Sequence, residues 1–123
     1  MLACRGIRGA TIADANTETA IYSATREMLQ QIIDANGIEE QDVAAAYFTA
    51  TPDLNAGFPA AAARQLGWNN TALMCSCEIA VPGSLLACIR VLILFNTEKQ
   101  PSDLVNIYLK GTEALKLQGV EST

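Results

Sequence analysis

Arg90 lies inside the run Cys88-Ile89-Arg90-Val91-Leu92-Ile93. A charge embedded in an apolar strand is costly unless it is paired, bound to a ligand or able to reach water. Two readings follow. One is an arginine at a sheet edge or interface, salt-bridged within the protein; the other is a guanidinium aimed into a pocket at an anion. Glu78 follows Cys75-Ser76-Cys77, and is either the structural partner of Arg90 or an acceptor in a pocket. Arg5 and Arg8 flank Gly6-Ile7. Three residues apart on a strand they point to opposite faces, so at most one enters a given pocket. Arg64 and Lys116 read as exposed charges. Cys4, Cys75, Cys77 and Cys88 read as small reduced thiols, because the C-x-C of 75 and 77 is neither a redox pair nor a zinc knuckle.

The rest of the inventory narrows the chemistry. The chain has no histidine, which removes the commonest neutral-pH base and the commonest metal ligand. No phosphate-binding glycine loop, nucleophile elbow or metal motif is present. A formal charge of −5 speaks against nucleic-acid and anionic-membrane partners. What remains is a set of arginines, one glutamate, a thiol and a tyrosine. Such a set can bind a carboxylate-rich small molecule and stabilise charge, but it holds no nucleophile beside an activating base.

The elements that position these residues follow from pattern. At 123 residues, 50% hydrophobic and 17% charged, the chain reads as one folded domain over residues 1–123. No apolar run nears the ~20 residues of a membrane span, and the first ten residues hold no signal-peptide core. A soluble cytoplasmic protein is expected. Ala3 to Ile12 reads as a strand. Asn16 or Thr17 caps a helix whose apolar stripe is Ile21, Ala24, Met28, Ile32 and Ala35, stopped by Gly37. Val43 to Thr51 is strand-like, and Pro59 to Leu66 is a short helix ended by Gly67. Thr71 to Cys77 and Leu86 to Phe95 are strands separated by a turn at 81–84. Pro101 opens a 3₁₀ turn, and 105–109 and 113–117 are weaker strand candidates. The order predicts an α/β or α+β domain, a mixed sheet with helices on one face.

With the elements laid out, a resemblance emerges. Arg5-Gly6-Ile7-Arg8-Gly9-Ala10-Thr11, Ala50-Thr51-Pro52-Asp53-Leu54, Phe58-Pro59-Ala60, Cys75 with Glu78, Pro82-Gly83-Ser84-Leu85, Cys88-Ile89-Arg90-Val91 and Tyr108-Leu109 resemble, in order and spacing, the AroH-type monofunctional chorismate mutases. Each fragment is weak by itself; together they are specific, and they cover the chain to about Leu117.

The resemblance implies a trimeric pseudo-barrel with active sites in clefts between subunits. It implies the pericyclic, Claisen-type isomerisation of chorismate to prephenate on the route to phenylalanine and tyrosine. No cofactor, metal or covalent intermediate is expected. By the same resemblance, Arg90 contacts the ether oxygen and a carboxylate. Glu78 contacts the substrate hydroxyl region together with Cys75. Arg8 holds the side-chain carboxylate and Tyr108 bonds near it. Phe58 packs on the substrate and Arg64 steers it from across the interface. Leu73, Met74 and Cys75 line the pocket, and Leu115 closes over it.

Three positions depart from the pattern: Ala61 replaces a frequent lysine, Met74 a small polar residue, and Lys116 (before Leu117 and Gln118) a frequent arginine. They bear on substrate affinity more than on the chemical step. Two competing readings remain at this level: an enamine/imine deaminase of similar trimeric architecture, whose C-terminal signature is missing, and a carboxylate-binding module without turnover. Fold by itself does not decide among them.

Overall fold

Five strands form one mixed sheet in the order β3-β2-β4-β1-β5. The computed structural model describes residues 1–117. In chain order the elements are β1 (Ala3–Ile12), α1 (Glu18–Asn36), a 3₁₀ turn (Glu40–Asp42), β2 (Val43–Ala50), α2 (Ala60–Gln65), β3 (Ala72–Cys77), β4 (Cys88–Thr97), a 3₁₀ turn (Pro101–Asp103), β5 (Ile107–Tyr108) and a last 3₁₀ segment (Glu113–Leu117). β4 runs antiparallel to both β1 and β2, while β2–β3 and β1–β5 are parallel. The most apolar strand thus occupies the centre, where both of its edges are paired.

Local chemistry explains the boundaries. Thr17 is extended at φ −135°, and its hydroxyl accepts the Ala20 N–H at 3.1 Å, which caps α1. Gly37 ends the helix in the left-handed region at φ 64°, where a side chain would be strained. The buried stripe is Ile21, Ala24, Met28, Leu29 and Ile32, with Asn36 at its end; Ala35, expected in the stripe, is exposed. The helical twist of 3.6 residues per turn carries position 36, four after Ile32, rather than 35 over the sheet.

One face of the sheet is covered by α1 and α2. Ile7, Phe48, Ile89 and Ile93 are fully buried there against Ile21, Met28, Leu29 and Ile32. Each such side chain contributes about 1.5–3 kcal/mol by leaving water. Gly9 lets the helix approach β1: a Cβ at this position would lie 2.6 Å from Ile32 Cδ1. The alternate residues of the same strands, Arg8, Tyr47, Thr49, Arg90 and Leu92, point to the opposite, open face.

Three expectations are corrected. β4 begins at Cys88, not Leu86, because Ala87 turns at φ 52° and donates its N–H to Asp53 at 2.8 Å, which leaves Leu86 exposed. Of 105–109 only Ile107–Tyr108 pairs. Residues 113–117 form a 3₁₀ segment rather than a strand. The position Gln118 noted above lies outside the described residues.

Candidate active site

β4 is the middle strand of five, so Arg90 is not an edge arginine. Register places it between Thr49 of β2 and Ala10 of β1, and Ala10 pairs in turn with Tyr108 of β5. The next row on the open face is Met74, Tyr47, Leu92 and Arg8. Arg8 and Arg90 are therefore diagonal neighbours on one face, brought together by two-residue periodicity on adjacent strands. Arg5, of opposite parity, instead donates to the Lys99 carbonyl at 3.4 Å.

A cavity of about 330 Å³ opens on this face, walled by Arg8, Gly9, Tyr47, Thr49, Glu78, Arg90, Val91, Leu92 and Tyr108. Arg90 Nη1 lies 3.3 Å from Glu78 Oε1, with the two side chains 29% and 20% exposed. The pair is thus neither dry nor fully solvated, and a ligand can compete for the guanidinium without first exposing it. Glu78 is fixed by its backbone N–H, which donates to the Ala50 carbonyl at 3.0 Å, and by the Thr49 hydroxyl, which donates to Oε2. The structural-partner and pocket readings of Glu78 therefore coexist.

The segment bearing Tyr108 is held with similar care. Buried Asn36 accepts the Val105 N–H at 2.8 Å and donates to the Val105 carbonyl at 2.9 Å. Asn106 Oδ1 accepts the Arg8 N–H at 2.8 Å, tying the segment bearing Tyr108 to β1. Lys116 stands over the Tyr108 ring, 5.5 Å from its centre.

The other expected residues lie elsewhere on the chain. Leu115 lines a small void of about 30 Å³ beside Glu78 and Arg90. Cys75 pairs with Phe48, so strand alternation points it to the helix-covered face, away from Arg90; Leu73 shares that parity. Cys75 lines a second concavity of about 420 Å³ with Pro52, Gly57, Phe58 and Cys77. Phe58 is 73% exposed there. Arg64 is exposed on α2, and Met74 is exposed on the edge strand. One chain therefore unites Arg8, Glu78, Arg90, Tyr108 and Leu115, but does not bring Phe58, Arg64, Leu73, Met74 or Cys75 to them.

Sequence reasoning missed Tyr47 and Thr49, which share parity on β2 and wall the first cavity. The alternation was legible; their alignment with Arg90 was not, because it depends on β2–β4 register. Among the described residues no group of three or more His, Cys, Asp or Glu is placed to hold a metal ion. Burial pushes the Cys88 thiol up to about 11, partly offset by the charge of Arg90, so this cysteine, which lines the small void with Leu115, stays protonated.

Comparison with known proteins follows the same lines. The sequence model of the family "Chorismate mutase type I" matches residues 4–118. A Thermus thermophilus protein named chorismate mutase AroH is 45% identical over 115 residues, spanning 93% of each chain. A Bacillus subtilis (strain 168) protein of the same name is 39% identical over 113 residues, 91% of this chain and 89% of its own. The solved structure of a chorismate mutase from Clostridium thermocellum superposes with a TM-score of 0.87 at 47% identity, covering 89% of this chain and 98% of that one.

Proposed function

The chain belongs to the chorismate mutase type I family, and from that premise we propose how its own side chains convert chorismate to prephenate. The enzyme is an isomerase. In the rearrangement an ether C–O bond breaks as a C–C bond forms within one cyclic array of electrons. No group is transferred to the protein, so a site without nucleophile or base suffices. What the protein supplies is a folded, reactive conformation of a flexible dianion and donors placed where charge develops.

In this reading Arg90 donates to the ether oxygen as it gains negative charge and to one substrate carboxylate. The planar fork of arginine serves both at once. Arg8, with Tyr108 beside it, holds the second carboxylate. Glu78 faces the ring and the hydroxyl, where positive character grows. Leu92, on the same open face, supplies an apolar wall. The observation that carries the reading is the convergence of two guanidiniums, one carboxylate and two phenols on a single cavity of about 330 Å³.

We further propose that the single domain over residues 1–123 works as a homotrimer with its sites between subunits. What supports this is that Arg8, Glu78, Arg90 and Tyr108 wall one concavity of the chain while Phe58 and Cys75 line another. Phe58, Arg64, Leu73, Met74 and Cys75 of one subunit would complete the cavity of the next, with Leu115 closing it. The exposed apolar residues Tyr47, Met74, Ile79 and Leu86 provide surface for such contacts. The substrate is a small dicarboxylate, and no nucleic acid or membrane is engaged: the charge is −5, and no described helix is long and apolar enough to cross a bilayer. Four free thiols suit the reducing cytoplasm, where we place the enzyme.

The test is a continuous absorbance assay of chorismate loss, with prephenate identified as product, beside sedimentation analysis of mass. Rapid loss in a particle of three 13.1 kDa chains is expected. No loss above the uncatalysed rate in folded protein would overturn the assignment of these residues, and a monomer that is fully active would overturn the shared site.

A further inference from the structure

Glu78 stands at a structural frontier. It follows the last residue of β3, and the stretch from 79 to 87 has no helix or strand and is largely exposed. The main-chain bond to Ala50 fixes its Cα, but a glutamate side chain keeps several free rotors beyond that point, and freezing them carries an entropy cost. Arg90 Nη1 bonds the carboxylate at Oε1. It is also the group that substrate carboxylate and ether oxygen must share, so its hold on Glu78 weakens when the site fills. A second anchor independent of the ligand is needed to keep the carboxylate in place at that moment.

We propose that Thr49 is that anchor: a positioning residue whose hydroxyl holds Glu78 Oε2, so that Oε1 stays turned toward the cavity while Arg90 turns to the substrate. The proposal rests on the reading of Glu78 given above. Thr49 lies on β2 directly opposite Arg90, and its own N–H and C=O belong to the sheet, so its χ1 is set by a rigid element. The hydroxyl lies in the wall of the same cavity. Its bond is charge-assisted, the stronger class of hydrogen bond.

The experiment is a two-by-two set at positions 49 and 78. Thr49→Val keeps shape and strand preference but removes the donor. A fall in kcat on the order of tenfold is expected, as for loss of one hydrogen bond to a charged group, with KM changed less. Thr49→Ser, which retains the hydroxyl, should restore most of that loss. In the Glu78→Gln background Thr49→Val should cost little more. An equal loss from Thr49→Val with and without the carboxylate overturns the proposal, as does a Thr49→Ser variant no more active than Thr49→Val. If Glu78→Gln is crippled while Thr49→Val is fully active, Thr49 alone is wrong. If Glu78→Gln is itself fully active, the role of Glu78 falls and the proposal falls with it. Far-UV circular dichroism and particle mass on each variant separate these outcomes from misfolding.

Discussion

Replacing Arg90 by alanine removes a guanidinium from the middle strand without disturbing the helix-covered core, because its side chain leaves the open face. Its worth can be worked from the contact it already makes. At 3.3 Å from a carboxylate oxygen, two full charges attract by about 5 kcal/mol at an effective dielectric of about 20. The ether oxygen gains only part of a charge on the way to the transition state. Roughly half of that attraction, about 2.5–3 kcal/mol, is then differential between ground and transition states. This corresponds to a loss on the order of 10² in kcat, the lower end of what removal of one preorganised donor costs. The stability cost is far smaller. Both partners are partly solvated, and leaving Glu78 unpaired costs about 1 kcal/mol or less. The assay is single-turnover loss of chorismate absorbance, so that product release does not mask the chemical step, with circular dichroism on the same sample. Arg90→Lys keeps the charge but not the fork, and should fall between wild type and Arg90→Ala. A folded Arg90→Ala enzyme with near-wild-type turnover would refute the reasoning.

Other consequences are as concrete. Lys116 meets the face of Tyr108 rather than any of the charged groups that wall the cavity, so Lys116→Ala should change the single-turnover rate only a few-fold; a loss as severe as that of Arg90→Ala would place the ammonium on the reacting atoms. Gly9→Ala puts a methyl 2.6 Å from Ile32 Cδ1 and 3.3 Å from the Ile107 carbonyl, and overpacking of this kind should cost about 1–3 kcal/mol in urea unfolding; an unchanged midpoint would show that Ile32 swings aside freely. The Cys88 thiol is raised from 9.0 to about 11 by burial, so the fold favours its protonated form. That contribution is complete below the unfolded value and is lost as pH climbs through 9 toward 11. The urea midpoint should decline over that window and decline less in Cys88→Ala; an equally steep fall in the variant assigns the loss to other groups.

Much of this protein was legible before any coordinates. The capped helix from Thr17 to Gly37, the short helix after Pro59 and the apolar strand around Arg90 follow from local chemistry, which acts over a few residues wherever they sit. Arg90 and Glu78 stood out because a charge in apolar surroundings needs an explanation that sequence already demands. The resemblance in the Arg-Gly-Ile-Arg, Phe-Pro-Ala and Cys-Ile-Arg-Val fragments identified the family, and residues 4–118 match its sequence model. The errors fell where local signals were weak: Leu86, displaced from β4 by the turn at Ala87, and 113–117, whose apolar residues settle into a 3₁₀ segment beside the site.

Composition and pattern thus determined the elements and the kind of chemistry available. Only tertiary structure decided which residues meet. Strand order and register place Thr49, Arg90 and Tyr108 in one row and Arg8 in the next, while parity on β3 turns Cys75 the other way. Pairing between strands distant in sequence is set by the packing of a whole face against α1 and α2. A one-residue slip would exchange the two faces of a strand, so no window of sequence by itself could assign Thr49 to Glu78.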